Sequence, residues 1–211
     1  MWRNINIIML FLTLLLFTHC THTVNVALRP NYQADLIPDN ELSTVEPSIN
    51  FGKGQFSDKR ADKSKLASFK QGVHTYNLYG ERPFEEALYE GLRTLFVKSG
   101  HQWSDSTSGD VQVDLQLLSS HARRNAGFIK VGATSSIQVK LDFTDMAAND
   151  VIYTQVYNGM DERDRTLIGT MSLVEESINA CINDCLNKVG IDKDLARALN
   201  KFKDSRISIK Q

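Results

Sequence analysis

Three cysteines and five histidines are the residues of this 211-residue chain best suited to nucleophilic, redox or metal chemistry. Cys181 and Cys185 stand four apart in a stretch whose apolar residues recur at helical period. Redox enzymes place C-x-x-C at a helix start, where the dipole lowers one thiol pKa. Here the spacing is C-x-x-x-C, deep within the helix and on its apolar face. The pair therefore reads as buried thiols behaving as small hydrophobes, and a disulfide at this spacing is geometrically awkward. The histidines His19, His22, His74, His101 and His121 form no H-x-x-x-H or H-E-x-x-H pair, so no metal is expected. His101 follows the helix-ending Gly100 and reads as a surface residue. His121 stands close to Arg123 and Arg124, a combination suited to an anion or a sugar, or to a solvated hairpin end. Asp58, Asp62, Asp110 and Asp114 could pair as acid and base, but Asp110 and Asp114 alternate onto the wet face of a strand, where solubility explains them. No G-x-S-x-G, Walker loop or G-x-G-x-x-G occurs, and no catalytic residue is expected.

The remaining cysteine, Cys20, stands where an apolar run stops. Arg3 is the only charge before it, and Ile5 to Phe17 is almost wholly apolar. That run is too short to span a bilayer, which needs about 20 residues. It has the length of a secretory h-region, about 7–15 residues. Leu16-Phe17-Thr18-His19-Cys20 resembles the lipobox of bacterial lipoproteins, in which cleavage precedes a cysteine carrying a thioether-linked lipid. The resemblance implies Cys20 as the lipid-attachment site, and several acyl chains on one residue give stable anchoring. His19 departs from the small residue usual there, as Phe17 does from the usual Leu. Cleavage by ordinary signal peptidase and an uncleaved anchor are the competing readings.

Lys and Arg number 24 against 25 Asp and Glu, a formal charge of −1. Such a balance gives no global field for nucleic acid. Three cysteines are too few for a disulfide scaffold or a Cys-rich zinc module.

The elements that must position these residues follow from periodicity. Val24, Val26 and Leu28 alternate as a strand that Arg29-Pro30 ends. Ile49 and Phe51 suggest a second. Residues 57–80 are charged and polar and read as a solvated loop. Residues 83–98 carry a stripe of Phe84, Ala87, Leu88, Gly91, Leu92, Leu95 and Phe96, with Pro83 suited to the first helical position. Three alternating strands follow at 111–117, 137–143 and 151–157. Residues 170–189 are helical again, and a short final helix carries Leu195, Ala198, Leu199 and Phe202. The expected fold is α+β: an antiparallel meander sheet covered on one face by two amphipathic helices, a two-layer sandwich. The expected divisions are a signal peptide over 1–19, a lipidated N-terminus with the first strand and an irregular segment over 20–47, an α+β domain over 48–203, and a polar tail over 204–211.

The lipobox-like start, Ser48-Ile49-Asn50-Phe51 followed by Asp58 and Arg60, the helix running to Gly100-His101, and Val111-Gln112-Val113-Asp114-Leu115-Gln116 together resemble the YajG family of Gram-negative lipoproteins. The resemblance implies an envelope lipoprotein with no assigned catalytic residues and no cofactor beyond the covalent lipid on Cys20. The expected function is non-enzymatic: a membrane-tethered binding, assembly or transport-accessory factor on the periplasmic face of the outer membrane. Its expected partners are the membrane, through the lipid, and an envelope protein, with no nucleic acid. Arg123, Arg124, Phe128 and Lys130, an arginine pair near an aromatic, are the candidate partner contact. A periplasmic enzyme acting on cell-wall or lipid material is one alternative. A surface-assembly subunit recruited at the Val24–Leu28 edge is the other.

Overall fold

The structure, a computed structural model, describes residues 22–32, 40–46, 48–126, 130–166 and 171–209. Eight strands and three α-helices follow one another in the described residues: β1 (His22–Leu28), β2 (Asn50–Asp58), β3 (Ala67–Gln71), β4 (His74–Gly80), α1 (Phe84–Lys98), β5 (Gln102–Ser104), β6 (Val111–Ala126), β7 (Lys130–Asp145), β8 (Asp150–Thr166), α2 (Met171–Gly190) and α3 (Lys193–Ile209). A 3-10 turn, Glu41–Thr44, precedes β2.

The expected meander is present as β6–β7–β8, antiparallel throughout. It is not the whole sheet. β2 joins β6 in parallel and β5 joins β2 in parallel, giving the order β5-β2-β6-β7-β8. A second sheet, β1-β4-β3, pairs β1 parallel with β4 and β3 antiparallel with β4. The fold is α+β with a mixed five-stranded sheet, a smaller second sheet and three helices, so the simple two-layer meander sandwich is corrected. Local patterning finds strands but not their neighbours, and a parallel partner comes from far along the chain.

The second sheet also corrects the solvated loop expected over 57–80. Ala67 and Phe69 face inward on β3, and Leu78 is fully buried on β4. Gly72, at φ +58, supplies the left-handed residue of the turn between them. The charges before β3 fold back on themselves. Arg60 donates to both Asp58 carboxylate oxygens and to the carbonyls of Lys65 and Leu66, with only 9% of its side chain exposed.

Helix α1 packs its stripe as expected, with Pro83 immediately before the first helical residue. Phe51, Phe96 and Phe143 are fully buried at the centre. The Phe51 and Phe96 rings stack at 4.2 Å, and both meet Phe143 edge-on at 6.4 and 6.2 Å. Each such pair adds about 0.5–1.5 kcal/mol beyond area burial. Helix α2 lies on β8 and β7. A Cβ on Gly159 of β8 would stand 2.0 Å from the Cys181 carbonyl oxygen, so the helix reaches this strand because glycine is there. Gly91 plays a similar part between α1 and Leu186 of α2.

Helix α3 runs on to Ile209 where a polar tail was expected from 204. Arg206 pairs with Asp110 and Asp145, and its guanidinium sits 4.7 Å from the Phe202 ring. Asp192 starts this helix, accepting from the Asp194 and Leu195 backbone N–H groups. Its other oxygen accepts from the Tyr153 and Tyr157 hydroxyls of β8.

Candidate functional site

β6 pairs with β2 only as far as Leu117, opposite Asp58. A bulge between Leu117 and Ser119 interrupts its register with β7 there, and the three long strands continue past it as an arm. The second sheet lies against this arm. The Ser120 hydroxyl donates to the Leu66 carbonyl at 2.7 Å, and Arg124 Nη1 donates to Gln71 Oε1 at 3.2 Å. β3 therefore runs alongside the outer half of β6, in the same direction.

An open groove of about 560 Å³ lies where β3 meets the arm. Ser68 and Lys70 come from β3, His121, Arg123 and Asn125 from β6, and Thr134 and Ser136 from β7. Strand alternation places the last five on one face. The lining holds no carboxylate and is rich in hydrogen-bond donors. Ser135 borders it through its backbone position, but its side chain alternates onto the inward face of β7, where the buried hydroxyl has no hydrogen-bond partner among the described residues. A larger cavity of about 740 Å³ lies at the opposite end of the sheet, beside α3, but its Asp145 and Arg206 are already paired.

The acid–base candidates are dispersed among structural duties. Asp114 Oδ1 accepts from the Gln55 backbone N–H at 2.7 Å, serving the β2 bulge. Asp110 pairs with Arg206. Asp58 is held below its usual pKa: burial acts to raise it, and the Arg60 hydrogen bonds outweigh that. Asp62, hydrogen-bonded by Ser64 and Lys65, falls to about 2.

His101 is corrected from surface to core, being 5% exposed. Gly100, at φ +89, ends α1 in a Schellman motif, with His101 N–H donating to Phe96 O and Gly100 N–H to Val97 O. That motif turns the following residue back against the helix. His101 Nδ1 accepts from the Ile49 N–H at 3.3 Å, and Nε2 donates to Leu42 O at 3.0 Å. Burial lowers its pKa, which agrees with this neutral tautomer.

Cys181 and Cys185 are free and buried. Their thiols donate to the Gly159 and Tyr157 carbonyls of β8. Burial raises both, Cys185 to about 12, and so keeps them un-ionised and unreactive. Among the described residues no group of three His, Cys, Asp or Glu side chains could hold a metal ion, and no helix is long and apolar enough to cross a membrane.

A model of the lipoprotein family Lipoprotein_16, described as "Uncharacterized lipoprotein", matches residues 55–200. The chain belongs to this lipoprotein family. The match spans the end of β2, β3, β4, α1, β5, the meander, α2 and the start of α3, and so includes every strand that lines the groove. No curated protein matches the lipoprotein in sequence. Among solved structures it is similar to protein XCC0632 from Xanthomonas campestris, at 14% identity and TM-score 0.51, covering 87% of this chain and 99% of that one. It is also similar to a homolog of a neuraminyllactose-binding hemagglutinin from Helicobacter pylori, at 10% identity and TM-score 0.46, covering 85% and 100%. A minor lipoprotein from Acinetobacter baumannii gives 12% identity and TM-score 0.35, covering 67% and 91%. At 14% identity, the likeness to the Xanthomonas protein shows a shared fold.

Of the site residues read from the lipoprotein's sequence, Arg123 is exposed on the groove. Arg124 is half-buried and tied to Gln71. Lys130 opens β7 opposite Thr166 of β8. Phe128 and Cys20 lie outside the described residues. The structure brings Arg123 together with His121, as their spacing in one strand allows. It adds Ser68 and Lys70, which sequence reasoning missed because their strand was read as loop. The signal that could have found them is alternation either side of Gly72, Ala67 and Phe69 before it and Tyr76 and Leu78 after it.

Proposed function

We propose that this chain is a non-enzymatic envelope lipoprotein, anchored in the membrane by lipid on Cys20 and exposed to the periplasm, that works by binding an envelope partner along the β6–β7 arm. The observation that carries the reading is the composition of the groove. Lys70, Arg123, Asn125 and several hydroxyls converge there, and the lining holds no carboxylate. Such a lining suits an acidic or hydroxyl-rich segment. The lipoprotein family supports the anchor, and the YajG-like order of elements is its finer form.

Cross-linking in intact cells tests the binding role. A photo-reactive residue at Asn125 is expected to capture a discrete envelope protein. Lys70→Glu with Arg123→Glu, both exposed positions, is expected to abolish that adduct while leaving the circular dichroism unchanged. The same adduct in the same yield from the double variant would overturn the assignment of the groove. Intact mass tests the anchor: the membrane form begins at Cys20 with added acyl mass, and Cys20→Ser leaves a precursor.

A second reading, a surface-assembly subunit, has one observation in its favour. β1 is the outer strand of its sheet and pairs only with β4 among the described residues. A partner strand could extend that sheet from the Val24–Leu28 side. Adducts from Asn25 and none from Asn125 would favour it.

A further inference from the structure

β8 is the outer strand of the large sheet, and two side chains of α2 fix which way its backbone groups point. Asp184 accepts from the Met160 N–H and Lys188 donates to the Asn158 carbonyl, both from the side away from β7. Alternate residues of a strand turn their N–H and C=O groups to the same side. β8 keeps an unbroken register with β7 from Tyr153 onward. Thr154 and Val156 therefore also direct their N–H and C=O groups outward. Among the described residues no hydrogen bond meets them there.

This unguarded stretch is bounded at both ends. Toward the β7–β8 turn, Ile152 is the extra residue of a bulge, between Val151 opposite Thr144 and Tyr153 opposite Phe143. Toward the arm, Lys188 holds the Asn158 carbonyl. The window between them is Tyr153-Thr154-Gln155-Val156-Tyr157, without charge, proline or glycine. β-branched and aromatic residues favour strands, and an exposed edge of this composition is a template for another strand. Gln155 stands at its middle, as far from the bulge at Ile152 as from the guarded Asn158.

We infer that a second copy of this chain pairs at this window, β8 antiparallel to β8 about a two-fold axis at Gln155. The symmetry of the window selects a copy of itself over an unrelated strand. In this register Thr154 lies opposite Val156 of the second copy, and each N–H donates to the other's carbonyl. The two-fold repeats that pair on the other side of the axis. Thr and Val match as β-branched neighbours, Tyr153 lies opposite Tyr157, and no like charges are opposed. Gln155 meets its own copy as a non-hydrogen-bonded pair, with Cβ atoms about 4.5–5.5 Å apart. The neighbouring registers fail. One centred on Val156 sets the Thr154 N–H against the Asn158 carbonyl that Lys188 already holds. One centred on Thr154 sets Val156 against the bulge. The window lies apart from the arm groove, none of whose lining residues belongs to β8. A ladder this short gives a weak dimer whose population rises with concentration.

Disulfide trapping in membranes carrying the full chain tests partner and register together. Gln155→Cys is expected to form a covalent self-dimer on mild oxidation several-fold faster than Val151→Cys or Met160→Cys, although those positions are 62% and 67% exposed. Cys181 and Cys185 are buried, and the unsubstituted chain sets the background from Cys20. Charge at the axis gives the second arm. Gln155→Lys and Gln155→Glu each oppose like charges. Each alone is expected to sediment as a monomer in detergent solution at concentrations where the native chain dimerises, with unchanged circular dichroism. Mixed in equal amounts, they are expected to dimerise again. Val156→Pro removes an outward N–H and no bond to β7, so it is expected to abolish trapping at position 155. The inference is overturned by trapping at 155 no faster than at 151 or 160, or by capture there of another protein in place of the self-dimer. A native chain that stays monomeric, a charged variant that dimerises alone as the native chain does, or no recovery on mixing overturns it equally.

Discussion

Asp184 and Lys188 stand one turn apart on α2, and together they occupy two outward-facing backbone groups of β8. The Met160 N–H donates to Asp184 Oδ2 at 2.9 Å, and Lys188 Nζ donates to the Asn158 carbonyl at 2.8 Å. The two side chains also pair with each other at 2.8 Å. β8 is the outer strand of the large sheet, so these groups would otherwise offer a template to a second chain.

Asp184→Ala with Lys188→Ala is therefore expected to raise the average mass in solution without removing the fold. Light scattering over a concentration series measures this. A mass distribution identical to that of the native protein would mean that the pair does not guard the edge. The direct stability cost is small, about 1 kcal/mol, because both side chains are partly exposed.

The two close-packed glycines separate by what they face. A methyl group at Gly159 meets the Cys181 backbone oxygen at 2.0 Å, which can yield only if the helix moves. At Gly91 it meets Leu186 Cδ1 at 2.3 Å, the far end of a flexible side chain. Gly159→Ala is expected to cost about 3 kcal/mol. Gly91→Ala is expected to cost about 1 kcal/mol or less, since alanine also favours the helix. Urea denaturation of both decides it, and equal losses would refute the close approach of α2 to β8.

Asp192 joins β8 to the start of α3. Asp192→Ala removes a helix cap and leaves the buried Tyr157 hydroxyl without its acceptor, at a cost of about 2–4 kcal/mol. Amide exchange over 193–206 is expected to accelerate before the rest of the protein does. Asp192→Asn, which keeps an acceptor oxygen, is expected to fall between. Unchanged exchange in the alanine variant would show that packing alone holds α3.

His101 makes stability depend on pH. Its folded pKa is lowered by burial, so the unfolded chain binds the proton more readily. The His101 contribution is full above the unfolded pKa, about 6.5, and declines as pH falls below it. Protonation also removes the lone pair that accepts from Ile49 N–H. The melting temperature is expected to fall between pH 7.5 and 5.5, a window set by that unfolded pKa. His101→Phe is expected to start lower and lose less over the same window. Parallel pH dependence in both proteins would assign the loss to other groups.

The sequence disclosed what depends on near neighbours. The stripes of α1 and α2 and the alternation from Val111, Ile137 and Val151 identify elements whose core faces match the buried residues. The strands run longer than their apolar alternation because Ser120, Ala122, Ala133 and Ser135 continue the inward face with small or polar residues. β3 and β4 were hidden by the charges before them, which Arg60 and Asp58 neutralise by closing on each other. His101 was misplaced because the chain reversal at Gly100 decides its direction, and polarity alone says surface. Of the candidate site, the β6 residues were legible; Ser68 and Lys70 reach it only through tertiary contact.

The parallel pairings also carry a kinetic consequence. β7 can add to β6, and β8 to β7, through short connections, so the arm closes small loops as it forms. His22 must wait for His74, and Phe51 for Val111, before either finds its partner. Chains dominated by such distant pairings fold slowly. In this protein β1 and β2 are expected to order after the meander, and β1, which pairs with β4 alone among the described residues, gains no ladder from the early-formed arm.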